Sequence, residues 1–469
     1  MLVISCVISD KISYITNKRK IKMDLLNGKI KKIYFKYLAA AFGSAMISSI
    51  YGLVDMAVVG QYQGPNGTAA LAVVAPVWNI IYSLGLFMGV GGSVLFSILR
   101  GKNSDSKNES NQYFTVAVIG SVVLSVLAWV ALLVFEKSIL TFFGASDEVL
   151  LNLARRYLKP IKFVFPVFLF NQMLAAFLRN DNDPALATIG VLAGGIFNIF
   201  GDIFFTFGLD MGIFGAGLAT AIGSVISFLV LLSHFIKRKN TLKLVKISGF
   251  DAKLKEISAT GFSTFFVDVA MGILTVIFNR QIMKYLNGDA LAVYGPIINI
   301  STFVQCCAYS VGQAAQPVIS TNYGANKHDR IKETLKYSLY TVAVFSLFWT
   351  ALSCITPNLY IRVFMKPTAE ILNIAPKIIR IYSLSFLLLP LNIFSTYYFQ
   401  SIVKPKAAFV VSVARGLVIS GALIMLLPLI KPSAIWLAMP ITELIVAAYV
   451  IVTMLKYTKK LQGENVAAV

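Results

Sequence analysis

Tyr51 to Gly101 reads YGLVDMAVVGQYQGPNGTAALAVVAPVWNIIYSLGLFMGVGGSVLFSILRG, and this stretch decides the fold. An apolar run carries a single carboxylate, Asp55, and ends at a Gly/Pro/Asn turn over Gln63 to Gly67. A second apolar run follows, with Pro76 inside it and the pair Gly91 and Gly92 near its far end. It stops at the polar, basic loop Arg100 to Lys107. About 20 apolar residues in a helix cross a hydrocarbon core roughly 30 Å thick, and each run is long enough.

The same order of features returns half a chain later. Leu286 opens LNGDALAVYGPIINISTFVQCCAYSVGQAAQPVISTNYGANKH, with one residue deleted after Gly288. Pro76 answers to Pro296, Asn79 to Asn299 and Gly92 to Gly312, all at one offset. Phe143 and Phe364, Asn171 and Asn392, and Pro184 and Pro405 keep that register, shifted by a single position. Landmarks sharing one offset mark a tandem duplication of a unit of about 220 residues.

Composition sets the class. The 469 residues are 57% hydrophobic and 13% charged. Soluble domains are about 25% charged. Long apolar stretches recur and alternation in ten-residue segments does not, so the reading is an all-α polytopic membrane protein rather than a β-barrel. Spans are expected at about 35–61, 68–99, 112–135, 160–179, 185–208, 213–236, 257–283, 289–320, 335–356, 381–402, 407–430 and 433–455. That is twelve transmembrane helices in two pseudo-symmetric six-helix lobes. The net charge of +21 would suggest nucleic acid in a soluble protein. Here most Lys and Arg fall in the loops on one side, so the excess is a topology signal that places both termini in the cytoplasm. No nucleic-acid partner is expected.

The resulting division is a basic cytoplasmic tail over 1–34, lobes over 35–236 and 257–456, a cytoplasmic linker over 237–256 and a tail over 457–469. The lysines of the linker suit anionic lipid headgroups. No long apolar stretch precedes Lys11, so a cleaved signal peptide is not expected, and Met23 is an alternative start to Met1. Residues 136–160 read as a short amphipathic helix lying in the membrane interface, echoed by 358–380. Cys6, Cys306, Cys307 and Cys354 have no metal spacing and read as free thiols. His234 and His328, at span edges, suggest neither catalysis nor metal binding.

Ionisable groups inside spans are costly, about 2.5–3.5 kcal/mol at mid-membrane, and so are functional candidates. Asp55, Asp202, Asp268 and Glu443 are the acids and Arg415 the one base. Asp55 and Asp202 each lie about six residues before the outer end of their span, roughly 9 Å below the surface at about 1.5 Å per residue. Asn198 precedes Asp202 by four residues and shares its helix face, and Tyr51 stands in the same relation to Asp55. Two carboxylates and an amide at one depth could bind Na⁺ through oxygens or share a proton. Asn171 and Gln172 in the fourth span complete this coupling set. Asp268 and Arg415 sit at matched depth, which fits a structural ion pair, whereas Glu443 has no evident basic partner. Asp268, Glu443, Gln305 and Arg415 form a second set of coupling or substrate candidates, and Gln305, Gln313 and Gln316 either line a cavity or join helices. The Phe- and Tyr-rich spans could wall a chamber for flat apolar cations.

Twelve spans as two six-helix repeats describe many secondary transporters. The motifs VDMAVVGQYQG, NGTAALAVVAPV, MGVGGSVLFSILRGKN, FNIFGD, QPVISTNYGANKHDRIKE and AIWLAMPITEL, in that order, resemble the multidrug and toxic-compound extrusion (MATE) family. The resemblance covers the chain from about residue 30 onward. It implies two lobes in a V, alternating access, and antiport of small-molecule organic cations against Na⁺ or H⁺. The family's first-span acid falls on Asp55, and its fifth-span Asn-x-x-x-Asp pair on Asn198 and Asp202. One branch pairs a seventh-span acid with one in the tenth span. Asp268 is near the first position, but Ile381 to Ile402 holds no acid, which puts the weight on the N-terminal lobe. A monomer in a bacterial cytoplasmic membrane, without a cofactor beyond the coupling ion, is the expectation. No GxxxxGK[ST] loop is present, so ATP is not the direct energy source. The nearest alternative is a flippase for lipid-linked precursors, whose cavity would need several cations to hold pyrophosphate. An enzyme would need a His/Asp or Ser/His set within the spans, which His234 and His328 do not supply.

Overall fold

The computed structural model describes residues 25–102, 106–145, 147–237, 240–364 and 367–466. Cys6 and Met23 lie outside them. Twelve helices are long and apolar enough to cross a membrane. The first lobe holds α1 (Ile30–Gly64), α2 (Asn66–Lys102), α3 (Lys107–Phe142), α4 (Glu148–Asn180), α5 (Pro184–Gly208) and α6 (Ile213–Ile236). The second holds α7 (Phe250–Tyr285), α8 (Gly288–Gly324), α9 (His328–Ile355), α10 (Ala369–Ser401), α11 (Pro405–Ile430) and α12 (Pro432–Leu461). Among the described residues there is no strand. Helices satisfy their own backbone groups, which hydrocarbon cannot do for them. On α3, Val123, Leu127 and Val134 are half or more exposed, an apolar face that only lipid would cover.

The turn expected at Gln63 to Gly67 is centred on Gly64, whose φ of 64° breaks one helix from the next. The helices overrun the expected spans because hydropathy marks only the apolar middle of each. Ile30 to Tyr34, assigned to the tail, already belongs to α1, and Phe250 to Glu256, assigned to the linker, to α7.

The 136–160 stretch is a correction. Glu136 to Phe142 continues α3 beyond a kink at Phe135, and Glu148 begins α4. The helix over Glu148–Ile161 is amphipathic as expected, with Leu151, Ala154 and Leu158 packed into the core of the first lobe and Asn152, Arg156 and Lys159 exposed, so the correction concerns its bounds. A 3₁₀ turn over Lys162–Val164 joins this segment to the rest of α4.

The duplication appears in the backbone as well. Asn182 and Val403, at equivalent places in the two repeats, both take positive φ (61° and 53°) just before the proline that opens the next helix. For a β-branched valine that conformation is strained. Cys306, Cys307 and Cys354 are free thiols, as read.

The lobes join along α1 and α2 against α7 and α8. A Cβ on Gly101 would lie 2.0 Å from the Thr321 carbonyl, and one on Gly324 1.9 Å from that of Ile98, so the helices touch backbone to backbone. Both ends of the described chain lie at this end of the molecule, where Asn322 Nδ2 donates to the Leu25 carbonyl and Leu461 packs in the same core as Leu25. Inter-lobe hydrogen bonds run from here as far as Ser49 Oγ and Cys306 Sγ, 3.2 Å apart. Farther on, Gly52, Gly272 and Gly295 face open space. The lobes are therefore closed at the terminus end and parted at the other.

Candidate functional site

The site lies in the first lobe, in the half away from the termini. A cavity of about 390 Å³ is walled by α1, α2, α4, α5 and α6, within the size range of small-molecule sites. Asp55, Tyr51, Asn171, Gln172 and Asn198 all line it, as the sequence placed them together. Asp202 does not line it. It is fully buried behind Asn198, which donates from Nδ2 to Asp202 Oδ1 at 3.2 Å, as the four-residue spacing on one face requires.

Asp55 and Asp202 belong to one chain of hydrogen bonds. The Tyr157 hydroxyl donates to Asp55 Oδ2 at 2.8 Å and lies 3.4 Å from Thr220 Oγ1. Asn198 Nδ2 donates to the same Thr220 Oγ1 at 3.0 Å. Neighbouring Asn171 donates to the Ser224 carbonyl at 3.0 Å and to its Oγ at 3.1 Å, tying α4 to α6. Glycines bring these partners into range. A Cβ on Gly194 would sit 2.4 Å from the Gly223 carbonyl, so α5 and α6 meet at their backbones, which sets Asn198 beside Thr220.

Four oxygens of this network are left over. Asp55 Oδ1, Asn171 Oδ1, Asn198 Oδ1 and Asp202 Oδ2 are buried and without a hydrogen-bond partner among the described residues. All four are acceptors. Neither carboxylate has a Lys, Arg or His in ion-pair range among those residues. An unpaired buried carboxylate is costly, so this chain of residues demands positive charge from elsewhere, a metal cation or a proton. The opposite wall is aromatic, with the Trp78 and Phe168 rings packed edge to face at 4.5 Å beside Tyr82.

The second set does not assemble this way. Arg415 does not pair with Asp268. Its Nε donates to Glu443 Oε1 at 2.8 Å, and Asn392 Nδ2 donates to Glu443 Oε2 at 2.6 Å. Glu443, expected to lack a basic partner, has both a charge partner and an amide donor. Matched depth fixed the height of Asp268 and Arg415 but not the direction each faces around its helix. Asp268 instead accepts from the Tyr309 hydroxyl at 3.2 Å. Gln305 is buried on α8 and lines neither lobe's cavity. Gln316 joins the lobes, 3.4 Å from Ser93 Oγ.

Tyr157, Thr220 and Ser224 were missed from sequence. Tyr157 sits on the stretch read as an interfacial helix, outside the apolar spans searched for polar groups, and a Thr or Ser inside an apolar span carries no charge to announce it. The only signal was the four-residue spacing of Thr220 and Ser224, which puts them on one face.

The profile of the MatE family matches residues 40–204 and again residues 262–426, so the internal repeat returns as two matches to one family pattern. The multidrug export protein MepA of Staphylococcus saprophyticus is 25% identical over 416 residues, 88% of this chain and 91% of that one. MepA of Staphylococcus haemolyticus is 27% identical over 384 residues, 81% and 84%. Among solved structures, a multidrug resistance MATE family transporter of the MOP superfamily in an outward-facing conformation superposes with a TM-score of 0.85. That match has 20% identity and covers 95% of this chain and all of that one. A MOP superfamily transporter from Pyrococcus furiosus, described as having a binding pocket of reversed polarity, gives the same TM-score, identity and coverage. With both halves matched, this polytopic membrane protein belongs to the MatE family, a family of transporters and not of enzymes.

Proposed function

We propose that this protein exports small organic cations, drugs and dyes among them, in exchange for Na⁺ or H⁺, and that the N-terminal lobe holds the exchange site. One observation carries the reading: two buried carboxylates without a basic partner beside a cavity of about 390 Å³ with aromatic walls. A flat cation gains from the π faces of Trp78, Phe168 and Tyr82 and from the charge of Asp55. Among the residues lining the cavity none is Lys or Arg, which disfavours a pyrophosphate-bearing lipid as cargo. The relatives named for multidrug export lend the same direction.

The coupling ion and the cargo compete for one charge deficit. A cation at Asp55, Asn198, Asn171 and Asp202 would use the four unpartnered oxygens, and a proton would neutralise either carboxylate. In both cases the attraction for an organic cation falls and the cargo leaves. Coupling of this kind is worth about 1–3 kcal/mol between sites. The basic loops put the terminus end in the cytoplasm of a bacterial membrane, so the parted end releases cargo outside. The protein works as a monomer on this reading, because the cavity is built within one lobe of one chain.

The test is ethidium efflux from vesicles carrying the purified protein, with an imposed Na⁺ gradient alone and a proton gradient alone. The gradient that drives efflux names the ion. Export by neither, for any cationic dye, removes the reading.

A further inference from the structure

At the closed end, each lobe holds the start of the other lobe's first helix. The segment entering α1 is gripped by the corner between α8 and α9. Arg330 Nη2 donates to the carbonyls of Leu25 at 3.0 Å and Gly28 at 2.7 Å. Asn322 Nδ2 donates to the Leu25 carbonyl at 3.0 Å, and Lys327 Nζ to that of Leu26 at 3.0 Å. Arg330 Nε in turn fixes Asn322 through its Oδ1 at 2.9 Å. Beyond the grip, Ile30, Ile33, Tyr34 and Tyr37 of α1 lie inside the core of the second lobe, among Val311, Val318 and Phe394.

The mirror arrangement holds α7. Its entering segment is gripped by the corner between α2 and α3. Thr115 Oγ1 accepts from the Val245 N–H at 3.0 Å, Gln112 Oε1 from the Ser248 N–H at 3.2 Å, and Asn111 Oδ1 from the Lys243 N–H at 3.3 Å. Tyr113 donates to Glu256 on the first turns of α7. Ile257 then lies inside the core of the first lobe, among Met88, Tyr113 and Phe177. Val245 and Ile257 lie within one residue of the positions that answer to Leu25 and Tyr37 in the duplication, so the two grips occupy matching places in the repeat.

We propose that these two swapped clasps are the latch of the terminus-side gate. Side chains of each lobe's second-to-third helix corner hold the other lobe's first helix by its entering backbone, and both must release before that end can open. The clasps differ in the number of charged contacts. The one on α1 makes three cationic donations to carbonyls, two from Arg330 and one from Lys327. The one on α7 makes one, from Arg100 Nη2 to the Thr241 carbonyl at 3.1 Å, with the Tyr113–Glu256 bond and the neutral acceptors on N–H groups beside it. Hydrogen bonds from charged groups are the stronger, so the α1 clasp sets the larger part of the bias toward the closed end.

The latch rests on the alternating-access reading above, so its test reads conformation rather than transport. Spin labels go on Lys102→Cys and Asp329→Cys, one exposed position on each corner, with Cys6, Cys306, Cys307 and Cys354 replaced by alanine. Distances are measured in full-length protein in lipid. Arg330→Ala is expected to raise the ratio of long-distance to short-distance populations about tenfold, a shift of about 1.4 kcal/mol. Gln112→Ala shifts it the same way by less. Arg330→Lys keeps the charge but loses the fork, and falls between wild type and Arg330→Ala. It carries the test should the alanine variant fail to fold. An unchanged distribution in Arg330→Lys and Gln112→Ala, in protein that melts like the parent, overturns the latch. Shifted distances in a protein that moves no dye leave the latch standing and remove the export reading.

Discussion

Asn171 and Asn392 occupy equivalent positions of the duplicated unit and do the same work in lobes of opposite character. Each reaches from the fourth helix of its lobe to the sixth: Asn171 to the carbonyl and hydroxyl of Ser224, Asn392 to the carbonyl and carboxylate of Glu443. Yet the first lobe encloses about 390 Å³ and the second a void of about 10 Å³. Two positions account for much of this. Gly194 lines the first cavity, and Arg415 takes the equivalent place in the second repeat, filling the corresponding space with a guanidinium. Its partner Glu443 is neutralised from within. The scaffold is common. Glu443 is compensated by Arg415. Asp268 in the same lobe, like Asp55 and Asp202 in the first, has no basic partner among the described residues. What sets the first lobe apart is therefore two such acids beside an open cavity.

The sharpest way to break this comparison is to remove Arg415. Arg415 and Glu443 are 4% and 0% exposed, and stranding one member of a buried pair costs about 3–5 kcal/mol. Arg415→Met is expected to lower the melting temperature of the purified protein strongly, and Glu443→Gln to do so by less. The double variant Arg415→Met/Glu443→Leu is expected to recover most of the loss, because a buried pair replaced as a whole is often neutral. Full stability of Arg415→Met alone would show that the second lobe is not charge-compensated as described.

The first lobe should respond in the opposite sense. Asp55→Asn and Asp202→Asn each remove an uncompensated charge, so the melting temperature holds or rises. Gradient-driven dye efflux should fall by between about 5- and 150-fold, the usual range of coupling between sites. Normal export in both variants would make these acids structural and erase the contrast between lobes. Gly194→Ala tests how the site is assembled. Its Cβ would meet the Gly223 carbonyl at 2.4 Å, and parting α5 from α6 should cost about 1–3 kcal/mol of stability, with dye affinity falling as Asn198 moves from Thr220.

Much of this was legible in the residues. Twelve apolar runs and the constant offset between the halves prescribe the helices and their duplication, because a span must be long and apolar whatever surrounds it. Asp55 and Asp202 stood out because charge within an apolar span is rare, and Asn198 because it lies four residues before Asp202. What escaped depends on directions that a linear pattern does not carry. Arg415 was matched to Asp268 by depth, while the azimuth of each helix decides for Glu443. The helix around Leu151, Ala154 and Leu158 is legible as amphipathic, but its packing against the first lobe is not, since periodicity reports that a face is buried and not what buries it. Tyr157 was lost with it.

Tyr157 therefore offers the finest test of the contrast. Its hydroxyl joins Asp55 to Thr220, and through Thr220 to Asn198 and Asp202. Tyr157→Phe keeps the ring in the core and removes only the donor. One hydrogen bond is worth about 0.5–1.5 kcal/mol net, so the concentration of driving ion giving half-maximal efflux should shift about two- to tenfold while the melting temperature barely moves. In the second lobe the matching subtraction is Tyr309→Phe, which takes the donor from Asp268. If the first lobe alone carries the exchange, that variant leaves the ion dependence where it was. Equal shifts in both would mean that Asp268, despite the neutralised pair beside it, takes part in coupling.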